Sequence, residues 1–508
     1  MTGLLSLSTI DPGDLAELAE VCQVSANEII DVHHCTPLQR ILIAGTERYS
    51  DAYCYRGSWT LQPSIDEDRF LDAIAKVAEQ NSILRTRIAD SATHGLVQVV
   101  LRNAEPIDRS FDDFDTYRQH ESSRRLGLGT PLARWALVDR TVALTIHHAA
   151  CDYTSIKAIL EDCSRIYHGQ SPTPRAPFRQ FAEHCENVGE EAAEAFWKPR
   201  FPHMAAIFPR VGEAYTPCAT DTISHHYRLP SEKKTPGSQL PYYIEAAWAH
   251  ASSIYTGQSA VAYGLVLSGR TSQLGIIGAT LGPTIAIIPV QANVSPESTI
   301  SELIKERARE RRQACSHATL QFDPLKIRAL SAESRRASQF TTILDINTSS
   351  LASPVNDEVL LNAESEGVSL SALVLRISIQ EGTIIIVASF DSTIICELQV
   401  RRTLHQLDHS LQLFLEGPAD RKLKEIATIS AEDWREVFEW NHNLPQSTQQ
   451  CLREIFQDRA QLHANKRAIE AWDRNASYEE LDMLSTQLGL RLIGSGVGIG
   501  DSVLIHGE

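Results

Sequence analysis

Apolar residues along the 508-residue chain alternate between two periods, and the switches between them mark out its elements. Leu15, Leu18, Ala19 and Cys22 form one stripe behind Asp11-Pro12, which predicts a helix capped by Asp11. "SANE" (25–28) reads as a capping box before another short turn of helix. "CTPLQRILIAG" predicts a loop entering a helix, and "AYCYRGSWTL" a strand. A box from Ser64 to Glu67 opens a helix that carries Phe70, Ile74 and Val77 on one face. "ILRTRI" and "LVQVVL" read as strands, and "ARWALVDRTVALTIHH" as a hairpin turning at Asp139-Arg140. Ile156, Ile159, Leu160, Cys163, Ile166 and Tyr167 restore the helical period, with Thr154 or Ser155 as N-cap.

The Pro-rich stretch "QSPTPRAPF" (170–178) marks a lobe boundary. Beyond it "LPYYIEAAWAHASSIYTG" predicts a helix, "AVAYGLVLSGR" a strand and "TISELIKERARERRQAC" a helix. "SALVLRISIQEGTIIIVASF" is a hairpin turning at Glu381-Gly382, and "VRRTLHQLDHSLQLFL" a long helix. Two βα-rich halves of similar size predict two α/β (α+β) lobes. The expected boundaries are a first lobe over 1–178, a second over 179–417, a polar linker over 418–450 interrupted by Pro418 and Pro445, and a new pattern over 451–508 that stops in mid-strand at "DSVLIHGE", as if cut from a longer chain.

Composition narrows the function. Hydrophobic residues make up 43% and charged residues 22%, as in globular proteins. Lys+Arg 47 against Asp+Glu 64 leaves a net charge of −17. With no basic block, that argues against nucleic acid or an anionic membrane as partner. No apolar run reaches the roughly 20 residues of a membrane span. The N-terminus lacks a basic segment, so a signal peptide is not expected. Ten cysteines without a C-x-x-C pair indicate neither a zinc site nor a disulfide framework, and reduced thiols suit a cytoplasmic protein.

The chemistry-bearing stretch is "TIHHAACDYTS". It sets His147, His148 and Asp152 on the short connection between a buried strand and a helix N-terminus, a junction at which active sites are often built. "HHAACDYTS" resembles the HHxxxDG core motif of the condensation domains of nonribosomal peptide synthetases, especially fungal ones. "CTPLQ", "NSILRTRI", "APFRQF", and "SGR" followed by "LGPTIAIIPV" resemble further motifs of that family in the same order, so the resemblance covers almost the whole chain. "AEDWREVFEWN" is similar to its linker to an adenylation domain, and "NASYEEL" (475–481) to the first adenylation motif.

The resemblance implies two chloramphenicol-acetyltransferase-like lobes in a V-shaped pseudo-dimer with a central tunnel. It implies amide formation between a donor and an acceptor thioester on the phosphopantetheine arms of upstream and downstream carrier domains, beside an adjacent adenylation domain. It implies no directly bound cofactor or metal. His148 is the implied base, and His147 packs or hydrogen-bonds. Asp152 is implied to form a structural ion pair with an arginine of "LRTR", Arg85 in preference to Arg87. Ser268, Arg270, Gly282 and Tyr153 are expected along the tunnel. Tyr153 stands where the family has glycine. That departure keeps open a degenerate, non-catalytic scaffold, and an epimerisation or cyclising relative is a further alternative. The adenylation phosphate loop is absent from the chain, so amino-acid activation with ATP is not expected.

Overall fold

The computed structural model describes residues 5–212, 214–229, 238–271, 280–316, 318–347, 360–380, 382–444, 446, 447 and 449–504. Contacts divide the chain into residues 1–430 and 431–508. Helix Ala431–Asn441 lies in the second of these units. The expected position Pro445 lies outside the described residues.

The first lobe is built on a four-stranded antiparallel sheet in the order Leu360–Glu366, Cys54–Leu61, Thr141–His147, Ala133–Val138. A second, three-stranded sheet has the order Ile29–His34, Gly95–Leu101, Thr86–Ser91. The amphipathic helices Glu67–Gln80 and Tyr153–Tyr167 pack together and bury Phe70, Ile74, Val77, Ile156, Ile159 and Cys163 against the larger sheet. The hairpin turns at Asp139-Arg140 as expected, with φ 44° and 58°, the two positive values of a type I′ turn. Arg140 anchors this unusual pair by donating to Glu67 Oε1 (2.9 Å) and to the carbonyls of Gln62 and Ile65 (2.6 and 3.0 Å).

Several expected features shift. Asp66, not Ser64, caps the helix Glu67–Gln80, accepting from the Arg69 amide at 2.9 Å. Only the second part of "ILRTRI" is strand, because Ser82–Arg85 forms a 3₁₀ turn. Helix Phe178–Glu186 buries Phe178, Phe181 and Cys185 in the first lobe's core, so that core extends past residue 178.

The second lobe holds a sheet in the order Ala286–Asn293, Ala260–Leu267, Thr342–Asn347, Leu373–Gln380, Thr383–Phe390, Asp221–Arg228, with Ala206–Ile207 beside Ala260–Leu267. Thr342–Asn347 runs parallel to both neighbours. Helices Leu240–Thr256 and Glu397–Glu416 cover one face, where Trp248, Leu375, Ile386, Leu404 and Leu411 form the core. Strand Leu360–Glu366 leaves this half of the sequence and pairs with Cys54–Leu61, so the first lobe's sheet is completed by chain from the second half.

The C-terminal unit contains helices Leu452–Leu462 and Tyr478–Gly494 around a two-stranded ribbon. Ser477 caps the second helix, accepting from the Glu480 amide at 3.2 Å. Among the described residues its fully buried apolar side chains are Ala460 and Ala476. Residues 501–504 form no strand, in contrast to expectation, and 505–508 lie outside the described residues. Among the described residues no helix is long and apolar enough to cross a membrane.

Candidate active site

Strand Thr141–His147 runs through the core with every residue from Val142 onward buried. The sheet's hydrogen bonding carries on to both neighbouring strands as far as the two histidines. The His147 amide donates to the Leu132 carbonyl (2.8 Å) and the His148 amide to the Tyr53 carbonyl (2.8 Å). Residues 148–150 then turn, and Asp152 caps the helix Tyr153–Tyr167 by accepting from the Ser155 amide (2.8 Å). The cap is thus Asp152 and not Thr154 or Ser155. A carboxylate is a strong N-cap and also opposes the positive helix terminus.

His147 is 0% exposed and fully committed. Its Nδ1 accepts the Ala149 amide (2.9 Å), which leaves the ring proton on Nε2 to be donated to Thr46 Oγ1 (2.7 Å). Burial, with the neighbouring His148 as a lesser cause, pushes its pKa down to about 3. A neutral folded histidine favours folding at neutral pH, and that contribution is lost as the pH falls below the unfolded value of 6.5 towards the folded one. At pH 5 the penalty is on the order of 2 kcal/mol. His147→Gln is expected to be less stable at pH 7.5 but to lose less further stability by pH 5. Urea midpoints of equal pH slope in parent and variant would contradict this.

His148 differs from its neighbour. It is only half-buried and keeps accessible surface. Its pKa is lowered, chiefly by burial. The backbone of Cys151 opposes that shift, the Arg376 guanidinium lowers the pKa further and Asp152 raises it. The free-base imidazole is therefore the resting form at neutral pH.

Asp152 is 2% exposed and saturated with donors from both lobes. Arg270 Nη2 lies 2.9 Å from each carboxylate oxygen. Ser155 Oγ donates to it at 2.7 Å, and the Thr284 amide and hydroxyl approach at 3.2 and 3.3 Å. Arg270 also donates to Ser155 Oγ (3.1 Å) and to the Gly282 and Thr280 carbonyls. This corrects the expected Arg85–Asp152 pair. Arg85 ends the 3₁₀ turn Ser82–Arg85 and directs its guanidinium to the backbone carbonyls of Glu79, Leu101 and Arg102. Arg87 pairs with Glu105 at 2.5 Å. The arginine that compensates Asp152 thus comes from the second lobe.

Of the remaining expected tunnel residues, Ser268 is exposed, with Oγ accepting from the Arg270 amide at 3.3 Å. Gly282 is buried. Its φ of 130° and the Phe178 ring, 2.2 Å from where a Cβ would stand, leave space for no side chain. It serves the lobe junction, donating its amide to Ser155 Oγ at 3.0 Å. Tyr153 opens the helix with 39% of its surface exposed. Two cavities elsewhere, one walled by Arg56, Tyr117, Glu121 and Thr145 and one between strand Ala286–Asn293 and helix Ile300–Ser316, do not include His148.

A family model, the Condensation domain, matches residues 29–437. Nonribosomal peptide synthetase valB of Aspergillus terreus is 37% identical over 451 residues, 87% of this chain and 17% of that protein. Nonribosomal peptide synthetase ungA' of Aspergillus campestris is 31% identical over 515 residues, 97% of this chain and 5% of that protein. The chain therefore spans a small part of the relatives it matches. Among solved structures, the starter condensation domain of the rhizomide synthetase RzmA aligns with TM-score 0.62 and 16% identity over 78% of this chain and 100% of that one. The condensation domain of the Monacolin K polyketide synthase MokA aligns with TM-score 0.61 and 16% identity over 78% and 100%.

Proposed function

The chain belongs to the condensation-domain family, the amide-bond-forming acyltransferases of nonribosomal peptide synthetases, and from that premise we propose that His148 serves the reaction of a donor acyl or peptidyl thioester with an acceptor aminoacyl thioester, both delivered by carrier domains. The observation that carries this is the contrast between the two histidines. His147 has both ring nitrogens engaged, whereas His148 keeps accessible surface.

The acceptor amine attacks the donor carbonyl, and the N–C bond forms as the carbonyl electrons move onto oxygen. The tetrahedral species collapses by expelling the donor thiolate. One proton must leave the nitrogen and one must reach the sulfur. A neutral imidazole positioned at the nitrogen transfers it without a free hydroxide. Holding two tethered substrates together lowers the barrier further, because the encounter becomes intramolecular. Asp152 and Arg270 fix the loop from which His148 projects and join the lobes; they do not take part in proton transfer. Carrier domains upstream and downstream are the partners of this reading, an adenylation domain is the neighbour in sequence, and the cytoplasm is its setting.

The decisive experiment supplies a loaded donor carrier and a loaded acceptor carrier and weighs the acceptor by intact mass. Transfer of the donor acyl group supports the reading; unchanged acceptor mass over many enzyme equivalents refutes it.

Tyr153 occupies the position where a glycine would leave the backbone open. Its exposed ring at the first helical position is compatible with a clear path to His148. Tyr153→Gly is expected to change the condensation rate less than tenfold, about 1.4 kcal/mol in barrier. A much larger gain would identify the ring as a block and favour the scaffold reading.

A further inference from the structure

Helix Pro37–Arg48 buries the face made by Gln39, Leu42, Ile43 and Thr46, the i, i+3, i+4, i+7 stripe with which a helix meets a core. Two of these four positions are polar. Gln39 and Thr46 are both 0% exposed, and a carboxamide or hydroxyl is costly to bury unless its polar atoms find partners. Here they do, and the partners are the two residues that flank His148. Thr46 Oγ1 accepts the Nε2 proton of the His147 ring at 2.7 Å and turns its own proton to the Leu42 or Ala52 carbonyl, at 3.0 and 2.8 Å. Two turns earlier on the helix, Gln39 Nε2 donates to the Ala149 carbonyl at 2.9 Å. The carboxamide is held in this orientation, because its Oε1 accepts the Thr36 amide at 2.9 Å and that group can only donate. The other Nε2 proton goes to Gln98 Oε1 at 3.0 Å, and the buried Gln98 donates in turn to the His34 carbonyl at 3.1 Å.

The backbone around His148 is therefore anchored at three successive peptide groups. The one before it is held by its own amide on the Tyr53 carbonyl (2.8 Å). The one after it is held by the Ala149 amide on His147 Nδ1 (2.9 Å), and Thr46 fixes that ring from its other nitrogen. The next is held at the Ala149 carbonyl by Gln39. We propose that Gln39 and Thr46 are positioning residues for His148, holding the backbone on either side of it so that the imidazole keeps one approach to the reacting nitrogen. The inference rests on the condensation reading above. Neither side chain has accessible surface with which to touch a substrate, so both act through the loop. Misplacing a catalytic group by about 1 Å can cost on the order of 100-fold in rate. Such a loss falls on kcat, because the groups that bind the substrates are unchanged.

The test is a double-mutant cycle with His148. Gln39→Met keeps the length of the side chain and removes its hydrogen bonds. With the loaded donor carrier saturating and the loaded acceptor carrier varied, kcat is expected to fall about tenfold to hundredfold while KM stays within about twofold. In the His148→Ala background the same substitution should change the residual rate by less than about twofold, because no imidazole is left to misplace. A purely structural role would lower the rate by the same factor in both backgrounds. Should Gln39→Met not fold, Thr46→Val takes its place in the cycle, since it keeps the branched shape and loses only the hydroxyl. A parent-like kcat, a loss confined to KM, or equal losses with and without His148 overturns the proposal. Absence of product from the parent chain with loaded carriers overturns instead the condensation reading beneath it.

Discussion

Asp152→Ala is expected to lower stability by about 3–5 kcal/mol and to abolish condensation at the same time. The carboxylate is buried, and it accepts from the Arg270 guanidinium, from the Ser155 amide and hydroxyl, and from the amide and hydroxyl of Thr284. Its removal strands a guanidinium that is itself only 11% exposed, uncaps the helix Tyr153–Tyr167 and releases the segment before strand Ala286–Asn293. The effect of Arg270→Met should be of similar size, because the charge left behind is then the carboxylate. A double substitution, Asp152→Leu with Arg270→Met, should cost clearly less than the two single changes added together, since neither charge is left alone. Urea unfolding of the four proteins measures the coupling. A midpoint for Asp152→Ala within error of the parent, or strict additivity of the pair, would show that the lobes are not held through this contact.

His148→Ala is expected to cut the condensation rate by a factor of about 10² to 10⁴, the range in which a positioned proton-transfer group contributes, with the urea midpoint close to the parent's. The imidazole keeps accessible surface, so little core packing is lost with it. His147→Ala should show the reverse balance, because that ring bridges Thr46 and the Ala149 amide inside the core. The pH profile carries the sign of the shift. With the folded pKa of His148 below 6.5, the free base persists as the pH falls, so the acid limb of the rate should lie below that value. Equal rates for His148→Ala and the parent, or an acid limb above the ordinary histidine pKa, would remove the assigned role.

Much of the local structure follows from short-range chemistry and was legible in the sequence. Asp11-Pro12 starts a helix, the stripe from Ile156 to Tyr167 makes the core helix amphipathic, and the hairpin turns at Asp139-Arg140, because caps, periods and turns depend on residues within a few positions. The order of motifs likewise identified the family and placed His148 and Asp152 at a strand-to-helix junction. The partner of Asp152 was not legible. Arg85 and Arg270 are both arginines beside family motifs, and a sequence carries no distance between them. Packing decides in favour of Arg270, 118 positions further along the chain, because the second lobe's loop reaches across to the helix cap while Arg85 donates to backbone carbonyls of its own lobe. Strand Leu360–Glu366 is a similar case: nothing in its own residues says which sheet it will join, and it completes the first lobe through backbone hydrogen bonds to Cys54–Leu61. Arg376 reads in the sequence as one polar position in a strand. Its place opposite Asp345 arises only when two strands of the second lobe pair in parallel, because a strand's partner is a property of the packed sheet and not of the order of residues.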